Sequence, residues 1–350
     1  MVFLLSAALA VGVWTKGGGP VTLREAAAKR RLLFGTAVAA RYLNEPDYVE
    51  VLGREFSQAE PENEMKFGSL HPRPDTDPNP YDFKDADAIV DFALAHKMKV
   101  RGHCFVWYQQ VARWVTAGTH TPEELSTILK NHIDTVAKHF AGKVYAWDVV
   151  NEAVMDDGSM RHTVWYDRPG IGLADKGTGY IEQAFQWAHD ADRRAKLYYN
   201  DYSCETINPK SDGIYAMLQD FKKRRVPVDG VGFQMHIGLW ANNPTTLDSI
   251  RKNFQRFADL GLDIQITEMD VSLSDNKPET LAQEADLYRA ITDICVHQRR
   301  VKAIQTWGFT DKHSWISQFN RSRGWALPFD DKYQAKPAYA AILEALSDKR

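Results

Sequence analysis

Two carboxylates sit where a core-filling strand would ordinarily carry none. In VYAWDVVNEAV, residues 144–154, an apolar run ends in Asn151 and Glu152; in LDIQITEMDV, residues 262–271, a similar run carries Glu268, with Asp270 two residues on. A carboxylate beside a buried strand is costly to desolvate unless it is paired, hydrogen-bonded or protonated. A lone Glu at a strand end is ordinarily a helix cap or a surface acid. Two in matched contexts point to a pair that works on one bond. Glycosidic cleavage needs such a pair: one acid protonates the departing oxygen, and one carboxylate attacks carbon or positions water. A gap of about 5–5.5 Å retains anomeric configuration, and about 6.5–9.5 Å inverts it.

Neighbouring residues suggest which acid does what. Asp270 is placed to hold His236, which comes from the adjacent strand, and His236 to hydrogen-bond Glu268. That would keep Glu268 ionised, as a nucleophile must be. Glu152 follows a hydrophobic strand near Trp107, surroundings that favour its protonated form. Asn151, one residue back, could bind a sugar 2-hydroxyl. Lys66, two residues after Glu62-Asn63-Glu64, reads as a hydroxyl-binding group rather than a solvated charge. His103 and His236, each taken alone, would be satisfied core histidines. Zinc competes for His103, His236, Glu152 and Glu268, since imidazoles and carboxylates bind it. The amides and Trp residues around them fit a neutral polyol better, and neither metal nor cofactor is expected.

These side chains need a scaffold that gathers them. Short apolar runs are expected as strands near 33–38, 55–60, 98–104, 144–151, 195–200, 230–236, 263–268 and 302–307. Helix patterns separate them. In the stretch 121–140, Thr121 is an N-cap, Pro122 stands in the first turn and Glu124 closes a capping box. Leu125, Ile128, Leu129, His132, Val136 and Phe140 line one face there. Continuously apolar strands alternating with helices fit a parallel sheet covered on its outer face. A doubly wound open sheet shares that alternation. The C-terminal strand ends choose between them, because each carries a polar or aromatic cluster, and only a closed barrel collects all of them at one mouth. The expectation is an α/β protein, a single-domain (β/α)8 TIM barrel over residues 21–350.

Composition excludes other classes. The chain has 350 residues, with 43 basic against 46 acidic side chains and a formal net charge of −3. With no long basic block, neither nucleic acid nor a membrane surface is expected as partner. Ten Trp and fourteen Tyr offer flat faces of the kind sugar rings stack on. Three cysteines, Cys104, Cys204 and Cys295, fit neither a disulfide framework nor a metal knuckle. Residues 1–20 contain an apolar run too short to span a bilayer, with Ala8-Leu9-Ala10 as a small-x-small site. No Lys or Arg precedes the run, so a signal peptide is incomplete and a segment packed on the barrel competes with it. Export is the expectation, and Gly17-Gly18-Gly19-Pro20 reads as a joint.

The assembled motifs resemble glycoside hydrolase family 10, the retaining endo-β-1,4-xylanases, from about Leu33 to Leu346. PENEMKF is similar to the family's motif after the second strand, which implies glycone binding by Glu62, Asn63 and Lys66. RGHCFVW implies His103 and Trp107 at the −1 subsite. WDVVNEA matches the acid/base motif, implying Glu152 as acid/base, Asn151 on the 2-hydroxyl and Asp148 behind His103. GVGFQMH supplies Gln234 and His236. ITEMDV implies Glu268 as nucleophile with Asp270 behind His236. TWGFTDKHSW implies Trp307 and Trp315 as walls of the −1 site, close enough to exclude a C6 hydroxymethyl group by clash. Tyr202 is the expected sugar contact from the fifth strand. Four positions depart from the family pattern: Tyr108, Cys104, Phe67 and His313 stand where His, Thr, Trp and Tyr are common. The resemblance implies an endo-acting, retaining, monomeric enzyme whose partner is xylan or a xylo-oligosaccharide. The competing readings are a β-glycosidase acting on glucosides or plant glycoconjugates, and a glycan-binding protein that does not cleave.

Overall fold

The helix signal at Thr121 is realised as a complete capping box, and Thr22 forms a second one. Thr22 accepts from the Glu25 backbone and opens the helix Leu23–Lys29, and Thr121 does the same for Pro122–His139 through Glu124. In each case the glutamate returns a bond to the cap's own N–H, so two otherwise unpaired donors are satisfied. The computed structural model describes residues 21–167 and 170–348. The expected leader or joint at residues 1–20 lies outside the described residues. No described helix is long and apolar enough to cross a membrane.

Nine parallel strands form one sheet: β1 (Leu33–Val38), β2 (Gln58–Pro61), β3 (Lys99–Val106), β4 (Val144–Asn151), β5 (Lys196–Asp201), β6 (Gly230–Phe233), β7 (His236–Gly238), β8 (Asp263–Ser272) and β9 (Val301–Thr306). β1 pairs with both β2 and β9, and the pairing of β6 with β8 joins the remaining edges, so the sheet closes. β6 and β7 lie along the two halves of β8, with Gly230 opposite Asp263 and His236 opposite Asp270. They are one strand interrupted at Gln234-Met235, so nine segments fill eight positions and the (β/α)8 expectation is met. Met235 turns the chain there with φ of 65°, and its N–H is held by Glu205 Oε1 at 3.0 Å. The second strand is shorter than expected, since Glu55 ends the helix Pro46–Glu55 and Phe56 caps it.

The strands are not apolar on both faces. Their outward residues pack on the helices, as Phe233 of β6 does on Phe254 of the helix Pro244–Asp259 with ring centroids 4.8 Å apart. The barrel interior is polar. Gln58, Glu60, Arg101, Asp148, Gln265 and Gln305 all point into it without solvent exposure. Gln58 donates to Gln305 at 2.6 Å, Arg101 to Gln265 at 2.8 Å, and Gln265 to Tyr145 at 3.1 Å. The Arg101 guanidinium lies over the Tyr198 ring, 4.6 Å from its centroid. Such a network tolerates burial because its members satisfy one another; isolated, each would cost several kcal/mol.

Candidate active site

At the C-terminal end of the barrel, a cleft of about 540 Å3 opens. It is lined by Glu62, Asn63, Lys66, His103, Trp107, Asn151, Glu152, Tyr202, Gln234, His236, Glu268, Trp307 and Trp315. All thirteen cleft residues expected from sequence therefore share one hollow. Asp148 and Asp270 lie buried beneath it, each against its expected histidine.

Strand register explains these pairings. Side chains at matched positions of neighbouring strands stand side by side. His103 is registered with Asp148, Asn151 with Asn200, and His236 with Asp270. Glu268 Oε1 accepts from Asn200 Nδ2 at 2.8 Å, and its Oε2 lies 3.2 Å from His236 Nε2. His236 Nδ1 is 2.8 Å from Asp270 Oδ2, which also accepts from Trp315 Nε1 at 2.9 Å. Burial would lower the His236 pKa, but the facing charges of Asp270 and Glu268 raise it well above its ordinary value. Burial would likewise raise Glu268; the His236 bond, the positive field of His103 and His236, and the Asn200 amide bring it below the usual glutamate value. Glu268 is thus an anion oriented by two donors at the cleft floor.

Glu152 follows β4 in a left-handed backbone conformation, φ 57°, which a residue with a Cβ adopts at a cost of order 1–3 kcal/mol. Its N–H donates to the Asn200 carbonyl at 2.9 Å. Its Oε1 accepts from Gln234 Nε2 at 2.9 Å and from Asn151 Nδ2 at 3.2 Å. Asn151 Oδ1 in turn accepts from Asn200 at 2.9 Å and Gln234 at 3.2 Å. A chain of amides therefore runs from one carboxylate to the other.

The wall opposite is cationic and aromatic. Lys66 Nζ donates to Asn63 Oδ1 at 2.9 Å and stands 4.8 Å from the Trp107 ring centroid and 5.6 Å from that of Trp307. Asn63 Nδ2 reaches Glu62 Oε1 at 3.3 Å, and burial raises the Glu62 pKa. Trp307 and His103 meet in a T-shaped arrangement, ring centroids 5.4 Å apart at 73°. Tyr202 accepts from Arg161 at 2.9 Å and lies beneath Lys210 Nζ, 3.3 Å from its ring centroid.

Sequence reasoning missed the layer below. Asn200 was visible only as one of several polar residues ending a strand, yet it bridges Asn151 and Glu268. Glu60 and Arg101 lie in or beside stretches read from sequence only as apolar strands, and neither was singled out. Arg101 Nε binds Glu60 at 3.1 Å, and its Nη2 pairs with Asp148, which orients His103 Nδ1 at 3.0 Å. Burial and then Asp148 push the Glu60 pKa well above its ordinary value. Glu60, His103 and Glu268 bring metal-type donor atoms within 4.8 Å of one another. Arg101 presses its charge against that group, and the zinc set weighed from sequence is divided, with His236 held between Asp270 and Glu268.

Two of the four departures from the family pattern point away from the cleft. Phe67 is buried against His132, centroids 4.1 Å apart, and His313 stacks on Tyr42 at 3.6 Å while pairing with Glu45 at 3.1 Å. Cys104 is buried, as are Cys204 and Cys295, and all three are free thiols. Tyr108 alone lines the cleft, with Arg161 4.5 Å from its ring centroid.

Comparison with known proteins agrees with this architecture. The family model described as glycosyl hydrolase family 10 matches residues 22–345. Endo-1,4-beta-xylanase B of Thermotoga neapolitana is 43% identical over 338 residues, covering 95% of this chain and 94% of its own. The native xylanase 10B structure from Thermotoga maritima superposes with a TM-score of 0.87 at 46% identity, covering 93% of this chain and 98% of that one. Xylanase 10B from Thermotoga petrophila, solved in complex with xylobiose, gives 0.87 and 46% over 94% and 98%. With a match that runs from the first capped helix to the last, over a barrel whose mouth holds both acid motifs, the chain belongs to glycosyl hydrolase family 10.

Proposed function

We propose that the protein is an endo-1,4-β-xylanase that cleaves internal xylosidic bonds with retention of configuration. The observation that carries this reading is the ionised Glu268, held by His236 at 3.2 Å and Asn200 at 2.8 Å in the same cleft as Glu152. Glu268 attacks the anomeric carbon while Glu152 gives its proton to the departing oxygen, leaving a glycosyl ester on Glu268. Glu152, now a carboxylate, takes a proton from water, which attacks the same carbon and frees Glu268. The amides of Asn151 and Gln234 fix the Glu152 carboxyl, and Asn151 is positioned to meet the 2-hydroxyl. Positive charge developing on the sugar ring faces the Glu268 carboxylate, and the indoles of Trp307 and Trp315 flank it. Xylan as substrate is supported by the names of the related enzymes and by the xylobiose bound in the Thermotoga petrophila structure.

Proton NMR of the first anomer released from xylotriose or a longer oligomer tests substrate and stereochemistry together. The β-anomer is expected. A first-formed α-anomer would replace the double displacement by a single one, and faster turnover of aryl cellobioside than aryl xylobioside would reassign the substrate to glucosides.

A further inference from the structure

A second groove, of about 270 Å3, adjoins the cleft. The two hollows share His236, Trp315 and Phe319, so they are continuous along the edge of the short helix Trp315–Phe319. Trp240, on the turn after β7, and Phe319 border it and are 65% and 85% exposed. These are the two most exposed large apolar side chains among the described residues, and they fall on one groove. Gly238 gives the Trp240 indole its place, since a Cβ there would come within 3.2 Å of Cδ1.

The groove is not merely apolar. Ser272 Oγ lies in its wall, shielded from solvent and without a hydrogen-bond partner. A buried hydroxyl left unpaired costs about 1–3 kcal/mol, so its presence asks for a partner. Arg323 stands on the rim, exposed, and on its other side borders a hollow that also holds Asp311, Asp330 and Asp331, of which Asp311 is paired with Lys336. Its turn is fixed: Leu273 and Gly324 exchange two backbone bonds of 3.1 Å, which tie Arg323 to the end of β8. The carboxylate in the groove wall, Asp270, is already engaged by His236 and Trp315.

We propose that this groove is an accessory subsite for an acidic sugar, a uronic acid carried as a branch on the xylan backbone. The inference rests on the hydrolase reading above and adds a substituent preference to it. Exposed aromatic faces take the C–H face of a pyranose. The Arg323 fork takes the carboxylate. A neutral xylose would leave the guanidinium without its complement.

The test compares binding of a linear xylotetraose with the same tetraose bearing one glucuronic acid branch, by calorimetry at low salt. It uses the unaltered protein, Arg323→Ala and Trp240→Ala, with aryl xylobioside turnover measured alongside. The branched ligand is expected to bind more tightly to the unaltered protein. Arg323→Ala should weaken that ligand by about three- to tenfold, a range set by an exposed charge-assisted bond, and leave the linear one within twofold. Trp240→Ala should also weaken the branched ligand. Equal affinities of both variants and the unaltered protein for the branched ligand, or equal losses on both ligands, would overturn the subsite. Absence of aryl xylobioside turnover in the unaltered protein would instead remove the hydrolase reading, leaving the affinity comparison to decide the groove.

Discussion

Replacing Asp270 by Asn removes one negative charge and almost no volume, yet it should move the pH dependence of the whole reaction. Asp270 Oδ2 lies 2.8 Å from His236 Nδ1 and accepts from Trp315 Nε1 at 2.9 Å. The amide oxygen of Asn can keep the Trp315 bond. It cannot hold a proton on His236, whose pKa is pulled down by burial and kept high by Asp270 and Glu268. With the Asp270 charge gone, burial prevails and the ring becomes neutral, so Glu268 loses the cation 3.2 Å away. A hydrogen bond to a charged partner is worth about 1.5–3 kcal/mol, and one pKa unit is about 1.4 kcal/mol. The Glu268 pKa should therefore rise by about one to two units. The sign follows from its present state: Glu268 titrates below its usual value and attacks as an anion, so activity is lost as pH falls through that pKa. Raising it carries the acid limb of kcat/KM to higher pH by the same about one to two units, with the plateau less affected. The assay is kcat/KM for an activated aryl xylobioside across the acid range. An acid limb that stays in place while activity drops equally at every pH would refute the electrostatic role of the His236–Asp270 pair.

Two further perturbations probe the layers beneath. Gly232→Ala would place a Cβ 2.3 Å from Asn200 Oδ1 and 2.9 Å from Thr267 Cγ2, so stability should fall by about 1–3 kcal/mol and kcat should fall with the displaced Asn200; thermal melting and kcat together check this, and an unchanged melting temperature contradicts it. His132 is buried, parallel to His71 at 5.7 Å, with neither ring nitrogen partnered, and burial followed by the His71 charge sets its pKa well below the ordinary value. The unfolded chain therefore gains a proton as pH falls below about 6.5 while the folded chain does not, and stability is lost in that direction. His132→Phe should flatten the fall of the melting temperature between neutral and mildly acid pH; an identical slope in both proteins would exclude His132 as a source.

The outward half of the fold was legible because helix packing imposes a period that composition reveals. The caps at Thr22 and Thr121 and the face from Leu125 to Phe140 are local signals, and local physics decided them. The mouth was legible for a different reason: Glu152, Glu268, His103 and His236 are out of place beside apolar runs, and misplaced polar residues advertise themselves. Gln58, Glu60, Arg101, Gln265 and Gln305 were equally out of place, yet their meaning depends on closure, which sets residues 245 or more positions apart in contact, as with Gln305 and Glu60. The role of Asn200 was hidden likewise, since only the register of β4 and β5 sets it beside Asn151. The break at Met235 could not be read, because the stretch 230–236 carries no Pro and its glycines precede the turn.

That break yokes the two carboxylates together. Gln234, just before it, grips Glu152 at 2.9 Å; His236, just after it, grips Glu268 at 3.2 Å. Both grips share one peptide hinge, pinned at Met235 by Glu205. An inserted or deleted residue there would swing both side chains off their targets at once, silencing donor and attacker in a single stroke. Retuning one acid without detuning the other must therefore come from elsewhere around the rim, from Lys66, Arg161 or the indoles, where each carboxylate has neighbours of its own.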